Sequence, residues 1–92
     1  MSKPVVLTLI AKPGCHLCTD AEAVIAQVLE DLRDAHPTID VSIENRNILE
    51  DRELALRYSD EIPVVLINGA QHCYWHVLPD KLSAAILKEA QL

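Results

Sequence analysis

The sequence predicts an α/β domain: a four-stranded mixed sheet with helices on both faces, in the order βαβ then αββα. Three observations predict it. The chain begins with a nearly continuous apolar, β-branched run, Val5-Val6-Leu7-Thr8-Leu9-Ile10, the pattern of a strand buried on both faces. A helical period follows at once. Leu17, Ala21, Val24, Ile25, Val28, Leu29 and Leu32 recur three and four residues apart, and polar residues fill the positions between them. Further along, Asn68-Gly69 joins two extended runs, a strong hairpin signal.

The elements follow in order. Pro13-Gly14 breaks the first strand. His36-Pro37 ends the first helix, because the residue before a proline resists helical geometry. Ile39 to Glu44 alternates apolar and polar, which predicts a half-exposed strand. Asn45 to Asn47 reads as a loop, and Glu50 to Tyr58 as a short helix. Ser59 to Glu61 is polar. A third strand runs from Ile62 to Ile67, with Pro63 at its start, and the returning strand covers Gln71 to His76. Pro79 suits the first turn of a helix, and Leu82, Ala85, Ile86 and Leu87 mark that helix. The βαβ unit requires parallel strands joined by a crossover, and the hairpin adds an antiparallel pair. No linker, repeat or low-complexity segment interrupts this order, so residues 1–92 read as one domain.

Composition narrows the function. Half of the 92 residues are apolar, enough for a core without disulfide staples. Three cysteines leave one over from any paired framework. The formal net charge is −6 and the Lys and Arg residues are not clustered, which disfavours nucleic acid and anionic membrane as partners. One Trp, two Tyr and no Phe offer no row of aromatics for base stacking. Val5 to Ala11 is short for a secretory leader, and Lys12-Pro13-Gly14 follows it in place of a small-residue cleavage site. No stretch is long enough to span a bilayer. The expectation is a cytoplasmic protein whose free thiols stay reduced.

Cys15 and Cys18 form a C-x-x-C pair where the first strand gives way to the first helix. With Cys15 at the helix start, Cys18 lies one turn further in, near enough to bridge. Free N–H groups and the helix dipole at that end favour a thiolate, and Lys12 and a charged His16 add to the effect. A thiolate attacks a substrate disulfide, and a second thiol then releases the reduced product. Cys15 is the natural nucleophile and Cys18 the natural resolving thiol. Two other readings stand beside this one. Cysteine is often a small buried hydrophobe. Cys15, Cys18, Cys73, His16, His72 and His76 also include ligands that zinc favours. The second ligand set would lie on a strand, whose alternation sends His72 and Cys73 to opposite faces. No protein-only metal site and no cofactor are therefore expected, while a cluster held by Cys15 between two chains stays open. Pro63 has two readings: an ordinary strand-start proline, or a cis peptide after Ile62 that presents the Ile62 N–H and C=O to an extended substrate.

Taken together, these residues resemble the thioredoxin fold, with C-x-x-C opening the first helix and Ile62-Pro63 before the third strand. Within that fold the chain is similar to the glutaredoxins. It is short, it begins directly with the strand before C-x-x-C, and Gly14 stands where thioredoxins carry Trp. "KPGCHLC", "YSDEIPVVLING" and "YWHVLPDKL" resemble a group of small bacterial glutaredoxin-like proteins carrying P-G-C-x-L-C and Y-x-x-x-[VI]-P-V. The resemblance spans essentially the whole chain. It implies Cys15 as nucleophile, Cys18 as resolving thiol and Pro63 in cis, with Asp80 at an acidic position that opens the last helix. Lys12, His16, Ile62, Pro63 and Asp80 are then the substrate-binding candidates. One departure stands out. Where glutathione-binding glutaredoxins tend to carry Gly-Gly, this chain reads His76-Val77-Leu78-Pro79. The expected partners are protein or small-molecule disulfides, with weak or absent glutathione binding and a flavin-linked reductase as electron donor. The alternative is a non-catalytic binding or assembly module on the same fold.

Overall fold

The computed structural model describes residues 3–92; Met1 and Ser2 lie outside the described residues. Four strands form one sheet: β1 (Val5–Ala11), β2 (Val41–Asn47), β3 (Val64–Ile67) and β4 (Ala70–Tyr74). Three helices accompany them: α1 (His16–Ala35), α2 (Arg52–Tyr58) and α3 (Pro79–Ala90). The strand order is β2-β1-β3-β4. β1 pairs with β2 in parallel, from Val5 opposite Val41 to Ala11 opposite Asn47. β3 runs antiparallel to both β1 and β4. The mixed sheet and the βαβ-αββα order are those the sequence predicts.

Alternation along β1 sorts the core onto two faces. Val5, Leu7 and Leu9 join Val65 and Ile67 in a cluster closed by α1 and α3, through Ile25, Val28, Leu29, Leu82 and Ile86. Ile10 and Val64 point the other way and join Tyr58 of α2, with Leu54 and Ala55 packed against them. Helices thus cover both faces. The helix that carries the cysteine pair is held by the larger cluster, and its first turn reaches the smaller one, which contains Cys18.

Boundaries of three strands differ from expectation, and α2 begins at Arg52, not Glu50, because Asp51 caps it after a single 3-10 turn at Ile48–Glu50. β2 starts at Val41 and continues through Asn45–Asn47, which the sequence reads as a loop. The parallel ladder to β1 persists to Ala11, and backbone pairing at a sheet edge requires no apolar side chains. For the same reason the alternation of β2 buries little: Val41 is buried, whereas Ile43 is 44% exposed. β3 begins at Val64, not Ile62, since Pro63 has no N–H for a ladder. β4 ends at Tyr74, not His76, because Trp75 adopts a positive φ of 63° and turns the chain. The hairpin turn itself is as expected. Asn68 and Gly69 both have positive φ, 50° and 85°, the conformation that favours Asn-Gly in a two-residue loop.

Candidate functional site

The site is built from the turn between β1 and α1. Pro13 and Gly14 form it, and Gly14 has φ of 75°, a left-handed geometry that glycine adopts without steric cost. The turn delivers Cys15 as the N-cap of α1, in extended conformation. Its Sγ accepts a hydrogen bond from the backbone N–H of Cys18 at 3.2 Å. Its carbonyl accepts from the Thr19 backbone N–H at 3.0 Å and from the Thr19 hydroxyl at 3.2 Å. The first turn of α1 carries no acidic side chain, so no carboxylate there offsets the positive end of the helix dipole.

Cys15 and Cys18 are joined as a disulfide, with Cα atoms 5.1 Å apart, within the ordinary range. Their environments differ. Cys15 is half-buried, whereas Cys18 is 2% exposed among Ile10, Ile48, Tyr58, Ile62 and Val64. Cys15 packs against the rim of that same cluster. The cluster brings Ile62 to the cysteine pair, and the Ile62–Pro63 peptide is cis. The pyrrolidine ring of Pro63 is fully buried.

The other candidate residues are more dispersed. His16 is the first residue of α1 and is exposed. Lys12 is exposed and lines a groove of about 390 Å³ beside Pro13, Asn45 and Arg46. Asp80 is exposed in the first turn of α3. A second groove, about 310 Å³, separates α1 from the segment before α3 and is lined by Leu17, Asp20, Trp75, Val77 and Leu78. Asp80 is not part of its wall.

The third thiol sits elsewhere. Cys73 pairs with Val65 across the hairpin and packs against the α1/α3 cluster, not the cluster that contains Cys18. Burial pushes its thiol up from the ordinary range. His72 falls at a bulge: Cys73 faces Val65 and Gln71 faces Leu66, leaving His72 without a cross-strand partner. Desolvation lowers its pKa. Among the described residues, no group of three or more His, Cys, Asp or Glu side chains is gathered as a metal site.

The glutaredoxin-like domain family (DUF836) matches residues 6–87. The chain belongs to this family. A relative, the uncharacterised protein Rv0508 of Mycobacterium tuberculosis, is 32% identical over 88 residues, covering 96% of this chain and 88% of the relative. The solution structure of protein Ne2328 from Nitrosomonas europaea superposes with a TM-score of 0.66 at 26% identity, covering 92% of this chain and 94% of that one. A mutant thioredoxin from Halobacterium salinarum gives 0.65 at 22% identity, covering 98% of this chain and 78% of that one. The last likeness is one of fold, and the fold is thioredoxin-like.

In this glutaredoxin-like chain the segment His76-Val77-Leu78-Pro79 carries no glycine. Leu78 is the N-cap of α3 without a side-chain cap, and Pro79 follows it. The Trp75 backbone N–H donates to the carbonyls of Pro63 (2.9 Å) and Glu61 (3.3 Å), and the His76 N–H donates to Tyr74 (2.7 Å). Sequence reasoning missed Trp75. The available signal was a Trp, with its polar ring N–H, at the end of a strand.

Proposed function

We propose that the protein is a dithiol–disulfide oxidoreductase, with Cys15 as the nucleophile and Cys18 as the resolving thiol. The observation that carries this reading is the asymmetry of the pair. Cys15 is half-buried and its sulfur receives a helix-end N–H, while Cys18, its disulfide partner, is buried. In the reduced protein the same N–H and the uncompensated helix terminus favour a thiolate on Cys15.

The reaction balances as two exchanges. The Cys15 thiolate attacks one sulfur of a substrate disulfide, forms a mixed disulfide and expels the other substrate sulfur as a thiolate. Cys18, losing its proton, attacks Cys15, forms the intramolecular disulfide and releases the second substrate thiolate. The dithiol is oxidised by two electrons and the substrate is reduced by two. Buried Cys18 reaches Cys15 and little else, which suits a resolving role.

Ile62 and Pro63 are the docking residues in this reading. Ile62 packs in the cluster that Cys15 borders, so an extended substrate chain beside it places a disulfide near Cys15. Lys12 and His16, on either side in sequence of the turn that carries Cys15, are exposed, and Asp80 is exposed at the start of α3. The substrate class is protein or small-molecule disulfides. Glutathione fits poorly. Pro79 has no N–H, and the side chains of Val77 and Leu78 stand in the place of a glycine pair. That poor fit favours a flavin-linked reductase as electron donor, and free thiols that must be kept reduced favour the cytoplasm as the compartment.

The test is equilibration of the purified protein against glutathione redox buffers, with thiols counted by mass spectrometry. Two thiols should disappear together, at Cys15 and Cys18, with Cys73 left free and the fold intact. Oxidation that consumes Cys73, or an unfolded reduced form, would sink the reading and favour a non-catalytic module.

A further inference from the structure

Trp75 is attached to the loop before β3 by three hydrogen bonds. Its backbone N–H is shared between the carbonyls of Pro63 (2.9 Å) and Glu61 (3.3 Å). Its indole Nε1–H donates to the carbonyl of Asp60 at 2.9 Å. One residue on the far side of the hairpin thus grips residues 60 to 63, the segment that carries Ile62 and Pro63. The grip requires an unfavourable backbone. Trp75 has φ of 63°, a left-handed region that disfavours a residue with a Cβ, and the His76 N–H closes a three-residue turn onto Tyr74. The ring is not held there by burial, since Trp75 is 48% exposed. It meets Tyr74 edge to face at 5.1 Å and forms part of the groove wall facing Leu17 and Asp20 of α1.

A strained, half-exposed aromatic held mainly by hydrogen bonds to one short segment has little use as core packing. We infer that Trp75 is a positioning residue for substrate docking, fixing the Ile62–Pro63 segment so that an incoming peptide disulfide meets Cys15 in register. This inference rests on the oxidoreductase reading and deepens it. Trp75 makes no hydrogen bond to either sulfur of the pair; it acts through residues 60 to 63. The favoured substrate is accordingly an extended peptide disulfide, which uses the fixed segment, over a small disulfide, which does not.

The test is single-turnover oxidation of the reduced protein by an excess of an oxidised extended peptide, followed by mass in parent and variants alike. Trp75→Phe removes the indole N–H and keeps an aromatic ring. It should raise the half-saturating peptide concentration about three- to tenfold, the value of one neutral hydrogen bond. The limiting rate should hold, as should the rate with a small disulfide such as hydroxyethyl disulfide. Benzothienylalanine at position 75, which has the indole shape without the N–H, should reproduce the Phe result and covers the case in which the Phe variant folds poorly. An unchanged half-saturating concentration in both variants, with the parent active, overturns the positioning role alone. Equal losses on peptide and small disulfide also overturn it, because the effect would then be on the thiols. A parent that oxidises with neither substrate overturns the oxidoreductase reading, and the docking role with it.

Discussion

Cys15 and Cys73 are both half-buried, yet their surroundings point in opposite chemical directions. Cys15 caps a helix, accepts a backbone N–H and has Cys18 as a bonded neighbour. Cys73 lies on β4 at the sheet edge, packs on an apolar cluster and has its thiol pushed up by desolvation. On the proposed reading, the difference teaches that exposure alone does not make a thiol reactive. The charge environment of the sulfur and a second thiol within reach do.

The largest test of this contrast is removal of each sulfur. Cys15→Ser should reduce disulfide reductase turnover to background, and Cys18→Ser should leave a mixed disulfide trapped on Cys15. Cys73→Ser should stay within a few-fold of the parent. Equal losses at Cys15 and Cys73 would erase the distinction.

A second test concerns glutathione. Each charge-assisted hydrogen bond missing at the Val77-Leu78-Pro79 segment costs roughly 1.5–3 kcal/mol, about one to two orders of magnitude in affinity. Turnover with glutathione and glutathione reductase should therefore fall well below that of an ordinary dithiol glutaredoxin, while a thioredoxin-type reductase supports it. Comparable turnover with glutathione would contradict this.

Gly14 sharpens the comparison from the structural side. A Cβ there meets nothing within 4 Å, so the cost of Gly14→Ala is the left-handed backbone alone, about 1–2 kcal/mol. Denaturant titration of the oxidised protein should show that loss. A neutral result would mean that the turn placing Cys15 as N-cap is not specified by glycine.

The smallest effect is the pH dependence of the β4 region. His72 has its pKa lowered from 6.5. As pH falls below that value the unfolded chain takes the proton first, and stability declines. Cys73 has its pKa raised from 9.0. As pH rises above that value the unfolded chain loses the proton first, and stability declines again. His72→Gln should flatten the acid limb and Cys73→Ser the alkaline limb of a denaturation midpoint plotted against pH.

Much of this was legible in the sequence. The run Val5–Ile10, the period from Leu17 to Leu32 and Asn68-Gly69 specify their elements through side chains, and Pro13-Gly14 marks where the helix receives Cys15. The Asn45–Asn47 extension of β2 was not legible, because backbone pairing to β1 sustains it without an apolar pattern. The turn at Trp75 was not legible either. A positive φ in a tryptophan has no sequence signature, and the hydrogen bonds that compensate it come from residues 60 to 63, across the hairpin. The register shift that singles out His72 likewise depends on pairing, which alternation alone does not reveal.

The central claim is that Cys15 is an activated thiolate and Cys73 is not. Site-resolved alkylation of the reduced protein across pH, quantified by peptide mass spectrometry, tests it most directly. Cys15 should react fastest at neutral pH, with a midpoint below the ordinary cysteine range, and Cys73 should react slowly, with a midpoint above it. A Cys15 midpoint at or above that of Cys73, or faster labelling of Cys73 at neutral pH, would contradict the account.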